Sequence, residues 1–367
     1  MGLGGERNGT TLPCMSLSPR YLILADGAFG VHTSKTAVGC IRFTPEQVVG
    51  VLDTVHAGRT VQDVLGFGGA IPVVGSVAAG LALQPNILLI GIAPSGGSLP
   101  TSWRPVLRAA LDAGLHVWSG LHFFLGDDPE FRELAARRGV NILDVRKPPA
   151  ELPVSSGRVR DIDATVILTV GSDCNIGKMT TQLAVRDALK DRGVRVAFAG
   201  TGQTGIFIDG KGISVDAVVA DFIGGAAERL VLEAARDADI VLVEGQGSLL
   251  HPGFSGVTLG LMHGALPHAL VLCTQPSRVA IRSNEWVAIP SLKALIALHD
   301  AVTAPLRHAP TIAIAMNTFD LSDDAARDAI ERGMAETRLP ATDPVRFDPA
   351  PIADAILRVH EDRPAAR

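Results

Sequence analysis

The sequence predicts an α/β protein built from two consecutive parallel-sheet domains. Three observations carry that expectation. The chain has 367 residues, room for two domains. Its apolar residues come in short runs such as ILLIGIA and DIVLVEG, the form taken by strands buried on both faces. Those runs alternate with helix-like segments, the pattern of a parallel sheet covered by helices.

Residues 1–19 are rich in Gly, Ser, Thr and Pro. They lack a basic start followed by an apolar run, so they read as a disordered tail rather than a secretory signal. From residue 20 to 150, RYLILAD, VVGVLDT, IPVVGSV, NILLIGIAP, LHVWSGLH and NILDVRK read as strands. TSWRPVLRAALDAG and DPEFRELAARRG read as helices, the second with an acidic-Pro start and a Gly stop. The stretch KPPAELPVSSGRVRDID (147–163) is a Pro- and Ser-rich boundary. A second series fills 151–367. ATVILTV, VRVAFAG, DIVLVEG, HALVLCTQ and TIAIAMNTF are its strands, and helices are expected at 178–192, 216–238, near 290–300 and twice at the C-terminus.

Bulk chemistry excludes several functions. The formal net charge is -5 and no basic patch is interleaved with aromatics, so nucleic acid is not an expected partner. Mean hydropathy is +0.28, yet no apolar run reaches the length of a membrane span. Cys14, Cys40, Cys174 and Cys273 lack metal-type spacing and read as reduced thiols of a cytoplasmic protein. The expectation is no metal, no membrane and a homo-oligomer, the last from the habits of such folds.

The most informative stretch is GSDCNIGKMTT (171–181). It follows the strand-like Val166–Val170 and precedes an apolar-faced helix, the context of a phosphate-binding loop. Successive backbone N–H groups and the helix N-terminus favour an anion there, and Lys178 adds a full charge. Gly171, Ser172, Asp173, Asn175, Gly177, Lys178, Thr180 and Thr181 form the expected binding set. The spacing is G-x5-G-K, as in the dethiobiotin synthetase branch of P-loop proteins. Met179 stands where a nucleotide hydrolase places the hydroxyl that holds magnesium, and a thioether does not replace it. Thr180 or Thr181 offers a hydroxyl at a shifted offset.

Two more polar, Gly-rich segments follow strands, GTGQTGIFIDG (200–210) and EGQGSLLHPGFSG (244–256). Ligands of open parallel sheets bind beyond the carboxyl ends of strands, so all three loops are expected at one edge. Glu244 and His251 are the competing candidates for a general base. Lys35, Gln203 and Arg278 are candidate substrate-binding residues. Asp53 ends a strand where a dinucleotide-binding domain carries its ribose-binding acid, but DGAFGV lacks the full G-x-G-x-x-G. His122 and His263 read as structural.

Across residues 20–360, the blocks ADGAFGVHTSKTA, DTVHAGRT, IGIAPSGG, SGLHFFLGDDP, GSDCNIGKMTT, GTGQTG, VDAVVADFIGGAAE and EGQGSLLHPG resemble one family. It was long carried as a domain of unknown function. That resemblance implies an N-terminal Rossmann-like domain and a C-terminal P-loop domain. It also implies an N-acetyltransferase that moves the acetyl group of acetyl-CoA to the amine of an acidic amino acid, D-glutamate in some members. A loop that grips coenzyme A phosphates without cleaving them has no need of a magnesium hydroxyl. An ATP-dependent ligase or kinase of the dethiobiotin synthetase type is the alternative, and a nucleotide-sensing module the non-enzymatic one.

Overall fold

A computed structural model describes residues 10–11, 18–94 and 97–363. They divide into two compact units, one of Met1–Pro149 with Gln203–Ala217, the other of Ala150–Gly202 with Val218–Arg367. The stretch expected as a tail lies mostly outside the described residues. Within it, β1 (Thr10–Thr11) pairs antiparallel with Lys211–Gly212.

The first unit continues with β2 (Tyr21–Leu24), α1 (Lys35–Phe43), β3 (Val48–Leu52), α2 (Val61–Leu65), β4 (Val73–Val74) and α3 (Val77–Leu81). After these come β5 (Ile87–Ile90), α4 (Arg104–Asp112), β6 (His116–Ser119), α5 (Pro129–Arg138) and β7 (Ile142–Asp144). The sheet order is β4-β3-β2-β5-β6-β7, parallel throughout. This is the Rossmann arrangement, and the order reverses between β2 and β5. Strands β2 and β5 are buried at every residue, which explains their unbroken apolar sequence. Helix α5 starts where its sequence signals: Asp128 accepts from the Glu130 N–H at 3.0 Å, and Gly139 closes the helix at φ 67°.

The second unit opens with β8 (Thr165–Gly171), α6 (Lys178–Asp191) and β9 (Val196–Ala199). The chain then returns to the first unit through α7 (Gln203–Asp209) and β10 (Lys211–Gly212). It re-enters the second with α8 (Ala220–Ala234), β11 (Ile240–Val243), α9 (Ser255–Ala265) and β12 (Ala269–Thr274). A hairpin of β13 (Ala280–Ile281) and β14 (Asn284–Ala288) precedes α10 (Leu292–Thr303), β15 (Thr311–Met316), α11 (Asp323–Thr337), β16 (Ala341–Thr342) and α12 (Ala350–Glu361). Its sheet order is β16-β15-β12-β8-β11-β9, again all parallel. Val166, Leu168 and Val170 of β8 join the core on one face, and Ile167 joins the core on the other. Among the described residues no helix is long and apolar enough to cross a membrane.

One expectation changes. GTGQTGIFIDG does not run on as one strand-end loop: its second half is α7, packed in the first unit, where Phe207 stacks on Trp118 of β6 at 6.3 Å. The Pro-rich boundary stretch is held by hydrogen bonds to one buried carboxylate. Glu228 of α8, 2% exposed, accepts from the Ser155 hydroxyl at 2.6 Å and the Ser156 and Gly157 N–H groups at 2.7 and 2.8 Å. It also accepts from the Ser156 hydroxyl at 2.9 Å and Arg158 Nε at 3.0 Å. Burial alone raises the Glu228 carboxyl, but these donors outweigh it and hold the group at about 2.

Candidate functional site

Strand β8 delivers the glycine loop at the carboxyl edge of the second sheet. The backbone turns left-handed at Asn175 (φ 53°) and Gly177 (φ 106°) before α6 begins at Lys178. Alternation of this kind points consecutive N–H groups into one concavity. A Cβ at Gly171 would lie 2.6 Å from Ile176 Cδ1 and 3.3 Å from Lys178 Nζ, so a side chain there would crowd the lysine. Lys178 is 7% exposed, and its ammonium donates to the Asp173 carbonyl at 2.8 Å. Ser172 is fixed on both sides: its N–H donates to the Cys273 carbonyl at 3.0 Å, and its carbonyl accepts from the Ser248 hydroxyl at 3.1 Å. Met179 is 5% exposed. Of the two threonines that follow, Thr180 is half-buried and Thr181 is buried, with Cys273 Sγ 3.7 Å from its hydroxyl. Burial pushes the Cys273 thiol up to about 11, against the lowering effects of Lys178 and Thr181.

Asp173 is 1% exposed and fully engaged. Its Oδ1 accepts from the Cys174 N–H at 2.6 Å; its Oδ2 accepts from Arg278 Nη1 and the Arg282 N–H, both at 2.9 Å. The same Arg278 nitrogen donates to the Cys174 carbonyl at 2.9 Å. Arg278 therefore ties the loop to the segment before β13. His251 is buried beside this loop, and one ligand atom each of Asp173, Cys174 and His251 lie within 4.8 Å of one another. Arg278 already neutralises Asp173, so the trio is a poor cation site. The Gly253 N–H donates to His251 Nδ1 at 3.1 Å, which places the proton of the neutral ring on Nε2. The ring stacks on Phe254 at 4.4 Å, and Nε2 lies 3.5 Å from Asn284 Nδ2.

Glu244, at the end of β11, is 2% exposed. Its Oε2 accepts from the Thr201 and Gly202 N–H groups at 2.9 and 3.1 Å. It thus braces the turn after β9. Gly245 is needed because a Cβ there would stand 1.8 Å from the Thr169 carbonyl oxygen and 3.0 Å from Lys178 Cδ. Thr169 supports the same corner, its hydroxyl accepting from the Gly245 N–H at 3.0 Å. The second unit thus gathers Gly171–Thr181, Glu244, His251 and Arg278 at one sheet edge.

Lys35 and Gln203 belong to the first unit. Lys35 is the exposed first residue of α1. Gln203 opens α7 and its Oε1 accepts from Arg146 Nη2 at 2.7 Å. Arg146 also donates to the Gly120 carbonyl at 2.6 Å and pairs with Asp216. The first unit carries a feature that reading the sequence missed. Asp53, completely buried, accepts from the Gly27 N–H at 2.7 Å and lies 2.6 Å from His56 Nδ1. That engagement leaves Asp53 no room for a ribose. The signal was present as D-x-x-H directly after a strand. Among the other histidines, His263 Nε2 lies 3.0 Å from the Val302 carbonyl, and the His122 imidazole sits below its ordinary value through burial, then Arg146.

Comparison with known proteins agrees with this architecture. Residues 54–148 match the Rossmann-like domain of the domain-of-unknown-function family DUF1611, and residues 153–353 match its P-loop domain. The chain is similar to a D-glutamate N-acetyltransferase of Tritonibacter scottomollicae, 36% identical, with 92% of this chain and 98% of that one covered. A second protein of that name, from Pseudoalteromonas, is 35% identical over 90% of this chain and 97% of its own. The crystal structure of a DUF1611 family protein from Anabaena variabilis superposes with a TM-score of 0.89 at 40% identity, covering 93% of this chain and 99% of that one. The chain belongs to the DUF1611 family.

Proposed function

We propose that this protein is an N-acetyltransferase that moves the acetyl group of acetyl-CoA to the amine of D-glutamate. The observation that carries the reading is near-full-length similarity to two proteins named D-glutamate N-acetyltransferase. The glycine loop supports it. In this reading Gly171–Thr181 cradles phosphates of coenzyme A, with the loop N–H groups and Lys178 supplying positive charge. Asp173, Arg278 and Glu244 keep the cradle in shape. The buried Met179 offers no ligand for magnesium, in keeping with phosphates that are held and not transferred.

Acyl transfer needs a deprotonated amine, a bound thioester and donors for the tetrahedral oxyanion. No phosphoryl chemistry is involved. We place the protein in the cytoplasm as a homo-oligomer. The exposed Val279 and Trp286 at the β13–β14 hairpin, 76% and 78% exposed, suit an association surface, and light scattering at several concentrations checks it. The functional test is direct. Purified protein is given acetyl-CoA with D-glutamate, L-glutamate or other amino acids, and free thiol is followed. A parallel series uses ATP and follows ADP. The reading requires thiol release with D-glutamate and no ADP; ADP formation without thiol release would replace it with the ligase or kinase.

A further inference from the structure

We propose that the amino edge of the second sheet carries a binding site for a phosphate group, free or as a monoester, formed by Arg307, Arg363 and Arg160 around His268. The site lies wholly within the second unit. It goes beyond the acetyltransferase reading and does not depend on it.

The site is built on the first residues of the two central strands. Thr165 and Val166 open β8, and His268 directly precedes β12. The Val166 N–H donates to His268 Nδ1 at 2.9 Å, and the His268 N–H donates to the Val166 carbonyl at 2.7 Å. These two bonds fix the imidazole. Arg307, from the turn between α10 and β15, places Nη1 2.9 Å from His268 Nε2 and donates to the Leu266 carbonyl at 2.9 Å. Arg363, which follows α12, donates through Nη1 to the Thr165 hydroxyl at 2.9 Å and the Asp163 carbonyl at 3.2 Å. Arg160, in the turn before β8, donates through Nε to the Gly157 carbonyl at 3.1 Å. Arg307 and Arg363 are half-buried, and Arg160 is exposed.

Two features of this corner call for an anionic acceptor. The first is charge. Among the described residues none of the three arginines is in an ion pair; each engages the protein through one nitrogen and meets only neutral acceptors. Burial, then Arg363 and Arg160, hold the Arg307 guanidinium below its ordinary value, against the opposing effect of Asp161. Burial lowers Arg363 as well, against Asp163. Both carboxylates are exposed. The second feature is hydrogen bonding. Burial, then Arg307 and Arg363, hold the His268 imidazole down at about 3, so the ring is neutral near pH 7. A neutral imidazole has one donor nitrogen and one acceptor. Nδ1 already accepts from Val166, so the proton sits on Nε2, facing Arg307 Nη1. Two donors thus meet, and an oxyanion beside them accepts from both.

The arrangement selects phosphate over a carboxylate. A carboxylate matches a single guanidinium fork, whereas a tetrahedral phosphate has oxygens for several and charge for more than one cation. The glycine loop follows the far end of the seven-residue β8, roughly 20 Å away, so the two places are tested separately.

The test follows thermal unfolding of the full-length protein as inorganic phosphate replaces chloride at constant ionic strength. Parent, Arg307→Gln, Arg363→Gln, Arg160→Gln and Lys178→Ala are compared, and the dependence of each midpoint on phosphate gives an apparent affinity. Phosphate also stabilises proteins by exclusion from their surfaces, and the glycine loop attracts anions, so the variants decide. Arg307→Gln and Arg363→Gln are each expected to weaken phosphate binding about tenfold or more, and Arg160→Gln less. Lys178→Ala is expected to keep the response that the arginine variants lose. Arg307 also holds the Leu266 carbonyl at the end of α9; should Arg307→Gln not fold, Arg363→Gln, beyond the last helix, carries the comparison. Glycerol phosphate separates the sources: binding as tight as that of inorganic phosphate identifies a monoester site, and binding of inorganic phosphate alone identifies the free ion. A parent that responds no more to phosphate than to chloride overturns the site. So does a folded Arg363→Gln protein with the parent's full response, or a response lost entirely in Lys178→Ala.

Discussion

The two sheets present the same kind of edge with opposite solutions. In the second unit the edge is a glycine loop crowded with cations: Lys178 is buried against the Asp173 carbonyl, and Arg278 is locked to the Asp173 carboxylate. In the first unit the edge is a pair of loops braced by carboxylates, Asp26 and Asp53, with a partly exposed imidazole. The two histidines show the contrast most clearly. His251 Nδ1 accepts from a backbone N–H, so its lone pair is engaged. His56 Nδ1 faces a carboxylate, so its other nitrogen keeps the lone pair. One edge gathers cations around a glycine loop, and the other holds an imidazole against a buried carboxylate.

That contrast is open to attack in several places. The largest effect is expected at Gly245. Gly245→Ala drives a methyl group to within 1.8 Å of the Thr169 carbonyl oxygen, a backbone contact that no side-chain rotation relieves. Destabilisation of about 3 kcal/mol or more is expected, read from urea unfolding, together with loss of donor binding. A variant as stable as the parent would show that the corner supporting Lys178 is looser than described.

Glu228→Ala comes next. The carboxyl is held at about 2 against an ordinary value of 4.5, which corresponds to about 3 kcal/mol of pH-linked stability. The folded-state value is depressed, so this contribution is present above 4.5 and fades as pH falls towards 2. The stability gap between parent and variant, measured by denaturant at a series of pH values, should close on acidification. A gap independent of pH would make Glu228 a packing residue only.

The smallest effect is expected from chelation. If the loop grips phosphates without transferring them, turnover in EDTA should equal that without it. Loss of activity restored by magnesium would favour the ATP reading and remove the argument from Met179.

Much of this was legible in the sequence. The all-buried β8 announces itself as TVILTVG, and the following G-x5-G-K marks the glycine loop at its carboxyl end. The domain order and the glycine stop of α5 follow from local chemistry in the same way. Other features are tertiary and left no local trace. QTGIFID carries a glycine inside a helix and reads as loop, yet it forms α7. Nothing in its composition says that residues 203–217 belong with the first sheet. Arg278 was visible as a cation after a strand, but its partner Asp173 lies 105 positions away. Asp53 was visible as a strand-end acid, and only its buried contacts with Gly27 and His56 separate it from a ribose-binding residue.

The central claim is that the glycine loop of the second unit holds the acyl donor, and Lys178→Ala tests it most directly. The substitution removes a charge-assisted contact of about 1.5–3 kcal/mol, equal to roughly one to two decades of affinity. Acetyl-CoA binding by calorimetry should weaken by that amount in a protein whose thermal unfolding matches the parent's. A folded Lys178→Ala protein that binds acetyl-CoA as tightly as the parent would contradict the claim.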